Sequence, residues 1–115
     1  MDESILESIR IACSIGPDNH DFDQELIPIV NSVLAILTQL GVGSAEGFRI
    51  TGDDETWDEF IGDTRYDLSH VVTYAGKKVK SIFDPPVSSA VKDSLANTLS
   101  ELEWRVNVAA ENYES

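Results

Sequence analysis

The 115-residue chain has one cysteine, Cys13, and only two histidines, His20 and His70. A single thiol excludes an intramolecular disulfide and a cysteine-rich zinc site. The two histidines lie in different segments and show no HExxH spacing, and neither a GxxxxGK[ST] phosphate loop nor a GxSxG elbow occurs. The sequence therefore predicts no metal, no cofactor and no enzymatic activity.

Cations are also scarce, with 8 Lys and Arg against 21 Asp and Glu, and the formal net charge is -13. The imbalance is concentrated in residues 1–67, which carry 15 acidic and 3 basic side chains, whereas residues 68–115 carry 6 and 5. A protein that binds DNA needs Lys and Arg side chains that contact the phosphates, so the sequence disfavours DNA binding. Two explanations of the negative charge remain open. It either keeps the protein soluble or forms a surface that repels or mimics phosphate.

Length and hydropathy predict one soluble domain, residues 1–115. An apolar share of 42% is that of a globular chain. The start MDESILESIR is acidic, unlike a signal peptide. The uncharged stretch 26–45 contains Pro28, Asn31 and Gln39, so no membrane span is expected.

Apolar spacing predicts an all-α bundle of four to five helices. The first covers about residues 2–14, and the second runs from about Asp21 to Leu40 with one apolar stripe and a polar but neutral opposite side, which suggests a central helix covered in part on that side as well. Gly41 followed by Val42 predicts a left-handed C-cap with a Schellman contact.

A short helix should begin at Thr56, because Thr56 and Glu59 have capping-box spacing. Its apolar side chains, Trp57, Phe60 and Ile61, are expected to enter the core.

The next helix is predicted over about residues 67–83, and Gly76 interrupts it. Its expected apolar face consists of Leu68, Val71, Val72, Ala75, Val79, Ile82 and Phe83. Asp84, Pro85 and Pro86 then form a stiff hinge, because proline cannot continue a helix and restricts the residue before it.

A long helix follows from about Val87 to Asn112, and it has two faces. Its inward stripe is predicted to be Val91, Leu95, Leu99, Leu102, Val106, Ala109 and Tyr113. Trp104 lies almost opposite, with Val108 one turn further, and Arg105 can pair with Glu101 at i−4. Either another segment of the chain covers the indole, or Trp104 belongs to a subunit or partner interface.

Acidic residues crowd the segment 53–63: Asp53, Asp54, Glu55, Asp58, Glu59 and Asp63. Their order is not that of an EF-hand, so a solvated or DNA-repelling surface is expected rather than a cation site. Asp21, Asp23 and Glu25 are interpreted as helix-start residues.

Several stretches, in order, resemble the head–tail connector (adaptor) proteins of long-tailed bacteriophages, a family also labelled phage DNA-packaging proteins. They are FDQELIPIVNSVLAILTQLGVG, TWDEFIG, VVTYAGKKVKSIFDPPVSSAV and ELEWR, between Phe22 and Arg105. Together, and in this order, the stretches are fairly specific.

The resemblance implies a structural subunit of the virion, assembled in the host cytoplasm, in a ring of about twelve copies. Such a ring docks below the portal protein, extends the DNA channel without binding DNA specifically, and meets a stopper or tail-completion protein on its other side. The resemblance assigns residues 87–115 to portal and neighbour contacts. Interface residues are then expected at Glu101, Trp104, Arg105, Val108 and Tyr113.

Two alternatives stay open. The chain could instead be a small acidic helical binding protein that mimics DNA or inhibits a nucleic-acid enzyme. An adaptor could also remain monomeric in isolation and assemble only on docking.

Overall fold

The structure, a computed structural model, describes residues 4–42, 48–61 and 68–114, with side chains given from residue 70 to residue 108 in the last block. Five helices occupy it: α1 (Ile5–Ala12), α2 (Asp23–Gln39), α3 (Trp57–Ile61), α4 (Leu68–Phe83) and α5 (Ser89–Glu114). In these ranges β pairing is limited to an isolated bridge between Ser4 and Thr56. The all-α prediction is confirmed.

Local sequence signals set two helix ends as predicted. Gly41 has φ 99°, and the Val42 amide donates to the Leu37 carbonyl at 3.0 Å, which is the 6→1 bond of a Schellman motif. At α3, the Thr56 amide donates to Glu59 Oε1 at 2.9 Å and the Glu59 amide donates to Thr56 Oγ1 at 3.2 Å. These reciprocal bonds form the expected capping box.

The core lies between α2 and α4, with α1, α3 and α5 packed around them. α4 contacts α1, α2 and α5. The largest fully buried apolar side chains are Trp57, Tyr74, Phe60, Ile5, Leu6, Ile9, Leu26, Leu34, Leu37, Ile50 and Val30. The predicted core role of α3 is confirmed, and Trp57 Nε1 also donates to Ser8 Oγ at 2.8 Å.

The neutral side of α2 is covered in part, as expected. Asn31 Nδ2 donates to the Ile50 carbonyl at 3.2 Å, and its Oδ1 accepts from the Ile50 amide at 2.7 Å. Ser32 and Gln39 on the same side are exposed. The segment around Ile50 therefore covers one part of this side.

The predicted apolar face of α4 needs two corrections. Ile82 is 49% exposed, because in the last turn of α4 the packing covers the neighbouring Phe83 and leaves Ile82 largely open. Tyr74, left out of that face, is fully buried. Phe83 is half-buried and meets Phe22 edge-on, with ring centroids 5.7 Å apart.

Gly76 is a packing site rather than a weakness of α4. It is buried, and a Cβ built on it would lie 2.8 Å from Ala12 Cβ. Real Cβ contacts of this length do not occur, so the missing side chain lets α4 approach α1 closely. None of the helices in the described ranges combines the length and apolar run needed to cross a bilayer.

Candidate functional site

The break between α4 and α5 falls at Asp84, Pro85 and Pro86, where it was predicted. The Asp84 amide still donates to the Lys80 carbonyl at 2.8 Å, which closes the last turn of α4. The Val91 amide donates to Ser88 Oγ at 3.4 Å at the start of α5. The role of the three residues as a rigid hinge stays a prediction.

The inner side of α5 is anchored by apolar burial. Leu99 and Val106 are buried, with 8% and 2% exposure, and Leu95 and Leu102 are half-buried against the core. Val91 was expected in the same stripe but is 53% exposed, because it lies beside the helix break, where the stripe has left the core. The side chains of Ala109 and Tyr113 lie outside the described residues.

Two hydrogen bonds fix α5 against the rest of the protein. The Tyr74 hydroxyl donates to Glu103 Oε2 at 2.7 Å, and Asn107 Nδ2 donates to the Leu40 carbonyl at 3.0 Å. Burial, and then the hydrogen bond to Glu103, raise the pKa of the Tyr74 phenol well above its ordinary value. The bonds join α5 to α4 and to the C-terminal end of α2.

The opposite side of α5 carries the Trp104 face, which we define as Glu101, Trp104, Arg105 and Val108. Trp104 is 65% exposed, so no described part of the chain covers the indole. The predicted i−4 pair is present, since Arg105 Nη2 lies 2.8 Å from Glu101 Oε1, with both side chains exposed. Val108 is half-buried, and the side chain of Tyr113 lies outside the described residues. The assignment of these residues to an interface stays a prediction.

Next to the helix break lies a groove of about 580 Å³, which we call the hinge groove. It is lined by Lys77, Lys80, Asp84, Pro85, Pro86, Val87, Val91, Ser94, Leu95 and Thr98. Val87 is 98% exposed, and Lys77 and Lys80 are exposed as well. The groove was not predicted. No local sequence pattern indicates it, because it forms only where α5 leaves the helix break at the observed angle.

A buried arginine organises the acidic half of the protein, and this too was not predicted. Arg10 is 1% exposed. Its guanidinium donates to both carboxylate oxygens of Asp23, at 3.0 and 2.7 Å, and to the Pro17 carbonyl at 2.9 Å. It also lies 2.9 Å from Asp53 Oδ1. Such bidentate pairing is typical of arginine in partly buried ion pairs.

This cluster changes the interpretation of three residues, Asp23, Asp53 and His20. Asp23 begins α2, as expected, but also binds Arg10, whose hydrogen bond lowers the pKa of Asp23. Asp53 belongs to an ion pair rather than to a purely solvated surface. His20 Nδ1 lies 2.9 Å from both Arg10 Nη2 and Asp23 Oδ2, although the ring is 59% exposed. In the part of the chain that the structure describes, no cluster of side chains suits a metal ion.

Two other members of the acidic segment 53–63 also have internal partners. Glu55 accepts from Thr51 Oγ1 at 2.9 Å and from the Gly52 amide at 3.4 Å. Burial alone would raise the pKa of Glu55, but hydrogen bonds from the backbone and side chain of Thr51, and from the backbone of Glu55 and Gly52, outweigh it and lower the pKa. Glu59 completes the capping box of α3. The segment is therefore partly structural.

The chain matches a known protein family over nearly its whole length. A family model described as phage connector protein matches residues 5–113, nearly the whole chain. No curated protein and no solved structure matches significantly.

Proposed function

Because the chain belongs to the phage connector protein family and so has a structural connector role, we propose that it is an adaptor joining head to tail in a tailed-phage virion. Copies of the chain form a ring beneath the portal protein, assembled in the host cytoplasm, and a stopper or tail-completion protein binds the far side. A ring of identical subunits requires one surface of each copy to fit a different surface of the next.

The observation that carries this proposal is the exposure of Trp104. The indole is 65% exposed on α5, while Leu99 and Val106 hold the other side of the helix in the core. A large aromatic side chain loses unfavourable contact with water when a partner covers it, and tryptophan is enriched at binding hot spots. A fixed helix with an uncovered indole suits a subunit that functions in an assembly.

The charge distribution supports a channel through which DNA slides. Residues 1–67 have a net charge of -12. Carboxylates provide no binding site for phosphate and repel it, so a wall rich in them leaves DNA free to move. We propose that part of this acidic half lines the channel.

The alternative of a free acidic DNA mimic receives no specific support. A mimic needs carboxylates held on a surface where a nucleic-acid enzyme can meet them. Here several carboxylates already have partners within the same chain: Asp23 and Asp53 bind Arg10, Glu55 binds Thr51, Glu59 binds Thr56 and Glu103 binds Tyr74.

Pull-down with the portal protein of the same phage or prophage tests the proposal. The native chain should be retained, and Trp104→Ala should reduce binding by at least about tenfold, the loss expected of a hot-spot residue. A chain ending at Val108 keeps Val106 and Asn107 in place and tests the last residues separately. Ile82→Ala is the matched control, because Ile82 is 49% exposed on α4 and should bind like the native chain.

Two results would contradict the proposal. If the native chain is not retained by the portal protein, the adaptor role is wrong. If Trp104→Ala and the chain ending at Val108 both bind as well as the native chain, α5 is not the portal-contacting element.

A further inference from the structure

We infer that a groove between α1 and α4 binds an acidic, partly apolar segment of the stopper or tail-completion protein, which we call the tail-side protein. The inference rests on the proposed adaptor function and names the surface and the chemistry of its second contact. Three observations support it: the shape of the groove, the charge on it, and its position relative to Trp104.

The groove, which we call the α1 groove, forms where α1 and α4 lie close together. Its volume of about 470 Å³ falls within the range of ordinary binding pockets. Its lining includes Ile11, Ala12, Val72, Gly76, Lys77 and Lys80. Ile11, a large aliphatic residue, is 56% exposed at this surface. A segment that covers Ile11 and enters between the two helices would remove apolar surface from water.

The charged residues that line the α1 groove are both cationic. Lys77 and Lys80 are exposed, and at three positions apart they are neighbours on the surface of α4. Within the described residues neither lysine forms an ion pair, and Asp84, the next acidic residue along the chain, lines the hinge groove but not this one. Two unpaired cations beside an exposed aliphatic residue favour a partner that presents carboxylates and an apolar side chain together.

The α1 groove and Trp104 belong to different parts of the molecule. Among the described residues, those that line the groove come from α1 and α4 and none from α5. Trp104 lies on the side of α5 that faces away from the core. An adaptor binds two partners at once, so it needs two separate surfaces. With the portal protein assigned to Trp104, the groove is the surface left for the tail-side protein.

Carbodiimide cross-linking tests which protein occupies the groove, because it joins a lysine amine only to a carboxylate in direct contact. The sample contains the native chain with the portal protein and the tail-side protein of the same phage or prophage, and mass spectrometry identifies the linked peptides. We expect Lys77 or Lys80 to be joined to an aspartate or glutamate of the tail-side protein. Links from these lysines to the portal protein or to a second copy would overturn the inference. So would the absence of any link from either lysine while the three proteins remain bound.

Variants of the groove test its contribution to affinity. Lys77→Glu combined with Lys80→Glu should weaken binding of the tail-side protein at least about tenfold, because two attractive pairs become repulsive. Ile11→Gln should weaken it at least about fivefold through loss of apolar contact. The three positions are exposed, and glutamate and glutamine are good helix formers, so the variants should fold. Raising the salt concentration should weaken native binding more than that of the double variant.

Two controls separate the groove from other effects. Arg49→Glu reverses a charge at an exposed position outside the groove and should bind the tail-side protein like the native chain. Trp104→Ala should lose the portal protein and keep the tail-side protein, whereas the groove variants should do the reverse. Retention by the portal protein also shows that the groove variants are folded.

The inference is overturned, and the adaptor role stands, if the tail-side protein binds the groove variants as well as the native chain. An equal loss for Arg49→Glu also overturns it, because general charge then decides the binding. If the native chain binds the portal protein but not the tail-side protein, either free or on the portal, the inference falls and the portal contact remains. Failure of the native chain to bind the portal protein removes the proposed function, while groove-dependent binding of the tail-side protein would still uphold the groove.

Discussion

The Cβ that Gly76 lacks would lie 2.8 Å from the Cβ of Ala12. Both atoms are fixed by backbone, so no side-chain rotation could relieve the contact. The close approach of α1 and α4 therefore requires that residue 76 have a hydrogen atom in place of a side chain. Because α4 also contacts α2 and α5, a shift of α4 would disturb packing on three sides.

Gly76→Ala should lower the free energy of unfolding by about 1–2 kcal/mol, because overpacking outweighs the gain in helix propensity of roughly 1 kcal/mol. Urea denaturation monitored by circular dichroism measures it. Gly52→Ala is the matched control, since a Cβ at position 52 meets nothing within 4 Å, and it should change stability by less than about 0.5 kcal/mol. Adding Ala12→Gly to Gly76→Ala should restore the close approach. A stable Gly76→Ala chain would mean that the helices separate without cost.

Asp23→Asn should destabilise the protein by about 1–3 kcal/mol at pH 7, because a charge-assisted pair with buried Arg10 is lost. The pKa of Asp23 is lower in the folded state, so its contribution is complete above the ordinary value of 3.8 and is lost as the pH falls through the folded pKa. The gap between native and variant should therefore narrow only below about pH 4. Urea midpoints across pH 2–7 give the comparison, and a gap already closed at pH 5 would contradict the assignment.

Tyr74→Phe should cost about 1 kcal/mol, because Glu103 loses the buried hydroxyl that binds it. Hydrogen exchange should quicken for amides of α5 near Glu103 more than for those of α1. The pKa of Tyr74 is raised on folding, so the hydroxyl contributes fully below the ordinary value of 10.0 and its contribution falls at higher pH. The stability gap between native and Tyr74→Phe should shrink above that pH. Equal exchange in the two proteins would show that the bond does not hold α5.

Trp104→Ala should leave the free energy of unfolding within about 0.5 kcal/mol of the native value, since the indole is mostly exposed. Val106→Ala is the contrasting change on the same helix. Val106 is 2% exposed, and its truncation should cost about 1–3 kcal/mol through lost burial and an internal cavity. Thermal unfolding of both variants checks the pair of expectations. A large loss for Trp104→Ala would mean that the indole serves the fold rather than a partner.

Local signals explain what the sequence could predict. The Schellman turn at Gly41 and the capping box at Thr56 each depend on residues within a few positions of one another, so the pattern alone specifies the geometry. The exposure of Trp104 follows from helical periodicity, because an apolar stripe that faces the core places the residue opposite it outward.

Contacts between distant segments could not be predicted from the sequence. Arg10 pairs with Asp23 and Asp53 because the start of α2 and the loop that carries Asp53 pack beside α1, and no short spacing in the sequence indicates this. The role of Gly76 depends on Ala12, which is 64 positions away. The exposure of Val91 depends on the angle at which α5 leaves the helix break. The hinge groove is missed for the same reason, because it exists only once that angle is set.

The attachment of α5 has a mechanical consequence. Trp104 is adjacent in the chain to Glu103, which is bonded to the middle of α4, and one turn from Asn107, which is bonded to the last turn of α2. A force applied to the indole is thus passed on at two points, into the two helices that form the centre of the protein. α5 therefore transmits a load on Trp104 to α4 and α2 as a rigid element, without bending away from them.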